Sequence, residues 1–175
     1  MNITFITHTS GLYGANRSLL ALLKQAKQHG ITATVIAPDQ GELTESLEEI
    51  GVSYRTVPMK RWMSKKRWKA PLRLAVNVLV QPYLLYTIHK WETDLVYTNS
   101  SVIPTGVMLG FLSGSPHVWH VREFGEPDFG LSYDWGQSVF QAGMNYSDLV
   151  FAVSESIRET VLDGVDTPCT VVYNG

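Results

Sequence analysis

Two short stretches of this 175-residue chain place reactive side chains where chemistry could be done. The first is His120-Val-Arg122-Glu123, at the end of the apolar run His117 to Val121. If that run is a strand, alternation puts His120 and Arg122 on one face at its carboxyl end. A neutral imidazole there can orient or polarise a hydroxyl, and a guanidinium can neutralise a phosphate. The plainer alternative is a hydrogen-bonded histidine and a salt-bridged arginine at a strand end. The second stretch, Ser10-Gly11-Leu12-Tyr13-Gly14, lies between the apolar run Ile3 to Thr7 and the helically spaced Leu19, Leu23 and Ala26. Gly11 and Gly14 let main-chain amides approach a ligand, and a helix N-terminus adds donors and partial positive charge suited to phosphate. Any tight turn from strand to helix also asks for glycine. The Gly-x-Gly-x-x-Gly dinucleotide fingerprint is absent, so Asp39 alone speaks for a nicotinamide. His8 ends the first apolar run and is an intermediate candidate. His29, His89 and His117 hold less promising positions.

Other chemistries find no support. No His, Cys, Asp or Glu cluster has ligand spacing, so no metal is expected. Cys169 is the only cysteine, which excludes a disulfide scaffold and reads as a small core residue. Ser154 follows an apolar run but lacks the Gly-x-Ser-x-Gly elbow, so helix capping is its expected role.

Charge is unevenly spread. The net charge is -2, yet no Asp or Glu occurs between Glu49 and Glu92, a gap that holds nine Lys and Arg. The remainder therefore carries -11. Within the gap, Lys60, Arg61, Trp62, Lys65, Lys66, Arg67, Trp68 and Lys69 interleave tryptophan with cations, the composition that anionic head groups select. Nucleic acid uses the same residue types and is set aside here. A solvated, mobile loop is the competing reading.

The elements that must position these groups alternate along the chain. Strands are expected at Ile3–Thr7, Thr32–Ala37, Val52–Met59, Leu95–Thr98, His117–Val121, Leu149–Val153 and Thr170–Tyr173. Helical spacing falls between them, with a capping box expected from Ser156 and Glu159. Residues 123–137, with Gly125, Pro127, Gly130 and Gly136, read as loop. From Leu72 to Ile88, 12 of 17 residues are apolar. A membrane span needs about 20. Arg73, Asn77 and Gln81 form a polar stripe and Pro82 interrupts the run, so a kinked, mostly buried helix is expected. The strands are apolar runs without strict alternation, as in a parallel sheet covered on both faces. The expectation is a doubly wound α/β domain of about seven strands, with ligands at the carboxyl ends. Hydrophobic residues at 45% and charged residues at 17% exclude wholesale disorder. No leader-like N-terminus is seen, and one unpaired thiol suits a reducing compartment, so a cytoplasmic protein is expected, peripheral at the inner membrane face.

In order along the chain, Tyr13-Gly-Ala-Asn-Arg-Ser-Leu-Leu20, Asp94-Leu-Val-Tyr-Thr-Asn-Ser100, Trp119-His-Val-Arg-Glu123, Val153-Ser-Glu-Ser156 and Val172-Tyr-Asn-Gly175 resemble the N-terminal half of a family 4, GT-B-fold glycosyltransferase. Tyr13 and Asn16 replace the first glycine and the glutamate of that family's usual opening. The resemblance implies a Rossmann-like acceptor lobe spanning residues 1–175, with a separate donor lobe bearing an E-x7-E-type motif absent from this chain. It implies retaining transfer from a nucleotide-sugar, with no tightly bound cofactor, to a sugar or lipid-linked acceptor. Gly14 and Ala15 would face the donor diphosphate, and His120 would act at the reacting sugar. Tyr13, Asn16, Asn99, Ser100, Arg122 and Glu123 would contact the acceptor. The chain alone is expected to fold as a monomer and transfer no sugar. A dinucleotide-binding module and a non-catalytic membrane-recruitment domain are the alternatives.

Overall fold

A computed structural model of the chain describes residues 1–125 and 130–173. Pro127, Asn174 and Gly175, used above in reading the loop and the chain end, lie outside the described residues. The expected strands are present as β1 (Asn2–Ile6), β2 (Thr32–Ala37), β3 (Ser53–Thr56), β5 (Leu95–Thr98), β6 (His117–Val121), β8 (Leu149–Ala152) and β9 (Cys169–Val171). They form one parallel sheet in the order β3-β2-β1-β5-β6-β8-β9. The chain runs outward from β1 to β3, then returns to lay β5 on the other side of β1. The crevice between the carboxyl ends of β1 and β5 is therefore the topological switch point, where such sheets take ligands.

Helices cover both faces, which makes the fold α/β and Rossmann-like. On one face α1 (Gly14–Ala26) and α2 (Glu42–Glu49) bury Leu19, Leu23, Leu43 and Leu47 against Ile3, Phe5 and Val35. On the other, α4 (Gln81–Lys90) and α5 (Thr105–Ser113) set Leu84, Ile88 and Leu109 against Ile6, Ile36 and Val96. Beside them α6 (Gln137–Asn145) and α7 (Glu155–Thr160) bury Phe140, Met144 and Ile157 against Trp119, Val121 and Val150. Each such side chain contributes about 1.5–3 kcal/mol on burial, so the two faces together outweigh any single contact described below. Helix α5 lies close to the sheet because it carries glycine. A Cβ at Gly106 would collide with Thr98 Oγ1, and one at Gly110 would stand 2.9 Å from His117 Cβ.

Four expectations need correction. The long apolar segment is two helices, α3 (Ala70–Leu79) and α4, because Pro82 sits in the first turn of the second. It is not mostly buried. Asn77 and Gln81 are buried, whereas Leu72, Val78 and Leu79 are exposed. The polar stripe turns inward because it satisfies backbone: Asn77 Oδ1 accepts from Lys60 N and its Nδ2 donates to Lys60 O, both at 2.8 Å. The loop after Glu123 contains β7 (Ser132–Tyr133), which pairs antiparallel with β4 (Met63–Ser64), strands too short for a periodicity signal. The α7 N-cap is Ser154, as its own position suggested, and not Ser156. Ser154 Oγ accepts from Ile157 N at 3.2 Å, and Ser156 lies inside the helix. Cys169 is half-buried at the sheet edge, packed beside the Trp119 cluster.

Candidate active site at the carboxyl edge

The β1–α1 loop is held from below by Asn16, which is fully buried. Its Nδ2 donates to the carbonyls of Thr9 and Gly11, both at 2.8 Å, and its Oδ1 accepts from Thr7 Oγ1 at 2.7 Å. The neighbouring β2–α2 loop braces the same turn: Ser10 Oγ donates to Asp39 O and Ser10 O accepts from Leu43 N. Tyr13, largely exposed, is the residue before α1, and its carbonyl accepts from the amides of Asn16 and Arg17. Gly14 is exposed, with nothing within 4 Å of where a Cβ would stand, and the first turn of α1 holds no acidic side chain. The helix therefore presents an open, partially positive N-terminus to the crevice.

Across the crevice, Glu123 anchors the end of β6 to the end of β5. Its carboxylate accepts from Ser100 Oγ at 3.1 Å and from the amide and hydroxyl of Ser101, each at 3.2 Å. Burial raises the Glu123 pKa, and these hydrogen bonds oppose the shift. Arg122 Nε donates to Asn99 Oδ1 at 2.7 Å, and Asn99 Nδ2 donates to Ala15 O at 3.2 Å. Arg122 is thus linked through Asn99 to the first turn of α1. Burial lowers the guanidinium pKa without discharging it. His8 Nδ1 lies 3.8 Å from Glu123 Oε1, beyond hydrogen-bond reach. Burial, with Arg61 adding to it, lowers the His8 pKa to about 4, so at neutral pH this contact joins a neutral ring to the carboxylate and is not an ion pair.

His120 is buried between Tyr97 and Phe151, edge-on to both rings. Its Nδ1 is 2.6 Å from Tyr97 Oη. Burial, with Arg122 adding to it, lowers its pKa to about 3, while burial raises the Tyr97 phenol to about 12. Both groups are neutral at pH 7. When the phenol donates to Nδ1, the imidazole proton sits on Nε2, which is buried without a hydrogen-bond partner. Such a ring serves as a fixed hydrogen-bonding group and does not exchange protons near neutrality. His117 does structural work instead, with Nε2 on Thr98 Oγ1 and Nδ1 on Ser147 Oγ.

The Glycosyltransferase Family 4 profile matches residues 13–175. The chain belongs to Glycosyltransferase Family 4. No curated protein sequence matches it. Among solved structures, HepE of Anabaena, crystallised with UDP, superposes with a TM-score of 0.70 at 20% identity over 100% of this chain and 44% of that one. A glycosyltransferase of Rickettsia africae gives 0.67 at 16% identity over 99% and 43%. The lipopolysaccharide outer core galactosyltransferase WaaB gives 0.64 at 15% identity over 99% and 45%. These likenesses show a shared fold. The chain spans less than half the length of each of these proteins.

Within this family 4 domain the expected site residues divide by depth. Tyr13 and Gly14 are exposed, and Ala15, Arg122 and Glu123 are half-buried at the crevice. Asn16, Asn99 and Ser100 are fully buried and bonded to protein. Short polar side chains next to turning backbone find main-chain partners before solvent. Tyr97 and Ser101 were missed. Tyr97 is a polar-tipped residue inside an apolar strand run, and Ser101 adjoins Ser100, so both had a weak signal.

The basic segment also divides. Lys60, Arg61, Lys65, Lys66, Arg67, Trp68 and Lys69 are exposed. Trp62 is half-buried. It stacks on Trp119 at 5.5 Å and donates Nε1–H to Ser101 O at 2.8 Å. Nor is the segment loose, because Arg73 forks onto Asp134 at 2.6 and 2.7 Å and Asp134 N bonds to Trp62 O. Among the described residues no group of three His, Cys, Asp or Glu could hold a metal, and no helix is long and apolar enough to cross a membrane.

Proposed function

We propose that this domain is the acceptor-binding lobe of a retaining glycosyltransferase that moves a sugar from a nucleotide-sugar to an acceptor at a membrane surface. The observation that carries the reading is the crevice between β1 and β5, with the open N-terminus of α1 on one side and His120, Arg122 and Glu123 on the other. Family membership supports sugar transfer. That HepE is crystallised with UDP and with UDP-glucose supports a nucleotide-sugar donor. Those structures are more than twice as long, which leaves room for a second lobe to bring the donor.

The residues then divide the work. Main-chain amides of Gly14 and Ala15 take the charge that develops on the departing diphosphate, helped by the helix N-terminus. Neutral His120 gives a hydrogen bond to the reacting sugar through Nε2. A buried polar atom without a partner costs about 1–3 kcal/mol, and a sugar hydroxyl reached by local rearrangement would recover it. Arg122, held by Asn99, sets positive charge beside the same sugar. Membrane association rests on Trp68 and the cations around it, exposed together on one loop.

The test is transfer by the full-length protein from a panel of UDP-sugars to membrane-extracted acceptors, followed by UDP release and by NMR of the new anomeric centre. Product with the donor's anomeric configuration is expected. An inverted product would remove the retaining assignment, and thermal stabilisation by NAD but by no nucleotide-sugar would favour the dinucleotide reading.

A further inference from the structure

Helices α3, α5 and α6 wall a largely apolar trough. Leu74 and Asn77 of α3, Met108 and Phe111 of α5, and Val139 and Tyr146 of α6 wall a cavity of about 520 Å³. A second cavity of about 450 Å³ continues it along α4 and shares Met108 and Phe111. Each lies within the range of about 300–1,000 Å³ that small-molecule sites occupy. Exposed hydrocarbon on this scale marks a site of contact.

The charged residues of its lining are Arg61, Arg73 and Asp134. Arg73 and Asp134 sit in its wall but neutralise one another. Arg61 stands there exposed and makes no ion pair among the described residues, with Trp135 beside it. Lys65, Lys66, Arg67 and Lys69 follow within a stretch that contains no acid. Arg61 and Trp62 also connect the trough to the crevice residues. Arg61 acts electrostatically on His8, and Trp62, which lines the trough, bonds to Ser101, the residue whose amide holds Glu123. An occupant must therefore be hydrocarbon along most of its length, anionic at one end, and directed with that end toward the reacting groups.

We infer that the trough between α3, α5 and α6 seats the hydrocarbon chain of a phosphate-headed lipid, with the phosphate at Arg61. This rests on the acceptor-lobe reading above and names its acceptor class. A partner helix from the same or another chain would meet the apolar wall equally well, but would leave Arg61 and the acid-free cations beside it without a counter-charge.

The test titrates the full-length protein, by tryptophan fluorescence, with dodecyl phosphate, dodecyl glucoside and inorganic phosphate below micelle-forming concentrations. Dodecyl phosphate is expected to bind at least about tenfold more tightly than dodecyl glucoside, with inorganic phosphate silent. Ala142→Trp, which fills the trough from an exposed position on α6, and Val139→Asp should each weaken dodecyl phosphate by about tenfold or more. Arg61→Gln should abolish the preference for phosphate while leaving the glucoside unchanged. Thermal melts of the variants confirm that each is folded. Equal binding of the two dodecyl compounds, or indifference to Ala142→Trp in a folded variant, overturns the inference. So does sedimentation showing that this face joins two copies of the chain. Sugar transfer confined to water-soluble acceptors would remove the lipid seat and leave the transferase reading standing. Selective dodecyl phosphate binding without any nucleotide-sugar turnover would do the reverse.

Discussion

Tyr97 Oη and His120 Nδ1 stand 2.6 Å apart between neighbouring strands, both rings buried and both neutral. With burial lowering His120 to about 3 and raising Tyr97 to about 12, neither titrates between pH 5 and 8. The pair fixes the imidazole's rotation and, when the phenol donates, its tautomer. His120→Ala in the full-length enzyme is expected to lower turnover by about 10² with the domain still folded. Tyr97→Phe, which removes only the anchor, should cost about tenfold in kcat with little change in KM. Steady-state kinetics alongside melting curves decide it. Wild-type turnover in a folded His120→Ala variant would take the ring out of the mechanism.

Acid should destabilise the domain well above the carboxylate range. His8 and His117 are lowered to about 4 and His120 to about 3, from an unfolded value of 6.5. Below pH 6.5 the unfolded chain takes up protons that the folded one refuses, so stability is present above that pH and drains as pH falls toward 4. Each histidine withdraws about 2 kcal/mol between pH 6.5 and 4.5. Glu123, with its pKa raised, works in the opposite direction over part of that range. Urea midpoints at pH 7.5, 6.0 and 4.5 measure the sum. A flat profile would show that the three rings are not buried as described.

Asn16 holds Thr7, Thr9 and Gly11 together. Asn16→Ala removes three hydrogen bonds, leaving Thr7 Oγ1 and Thr9 O only their longer mutual bond, and should cost about 1–3 kcal/mol. The urea midpoint should fall at unchanged m-value. Unchanged stability with impaired acceptor binding would favour the contact role expected from sequence.

The Arg73–Asp134 pair ties the basic segment to the β7 strand. Asp134→Ala leaves the guanidinium with Ser64 Oγ and Lys66 O but no counter-charge, and should cost about 1–3 kcal/mol. The double replacement Arg73→Met with Asp134→Leu should recover much of that loss, because the pair's desolvation then disappears as well. A double-mutant cycle in urea measures the coupling. Additive costs would show that the two groups act independently.

Salt-sensitive binding to anionic vesicles is expected of the exposed cations. Each Lys or Arg at such a surface contributes about 1 kcal/mol, so replacing Lys65, Lys66 and Arg67 by serine should weaken partitioning by about 10². Trp68→Ala should weaken it further, whereas Trp62, packed inward, should respond through stability alone. Co-sedimentation at low and high salt is the assay. Indifference to anionic vesicles at low salt would make the patch a solvated loop.

Much of the scaffold was legible in the residues themselves. Apolar runs such as Thr32–Ala37 and His117–Val121, separated by helical spacing, specify a parallel sheet because only strands covered on both faces can be apolar throughout. Once the sheet is parallel, strand ends collect at one edge, and so His120, Arg122 and Glu123 had to meet the β1–α1 loop there. Sequence periodicity also showed that Arg73, Asn77 and Gln81 share one helical face. It could not say which way that face points, because direction depends on partners distant in the chain: Lys60, whose backbone needed Asn77, and Asp134, which needed Arg73. The same holds for Trp62, drawn from the cationic loop onto Trp119, and for Asn16, Asn99 and Ser100, which were turned under the crevice by carbonyls and side chains that only folding brings near. Local order is decided by the residue and its neighbours three or four places away. Inward or outward is decided by whichever packing satisfies the most buried polar groups, and that sum exists only in the folded molecule.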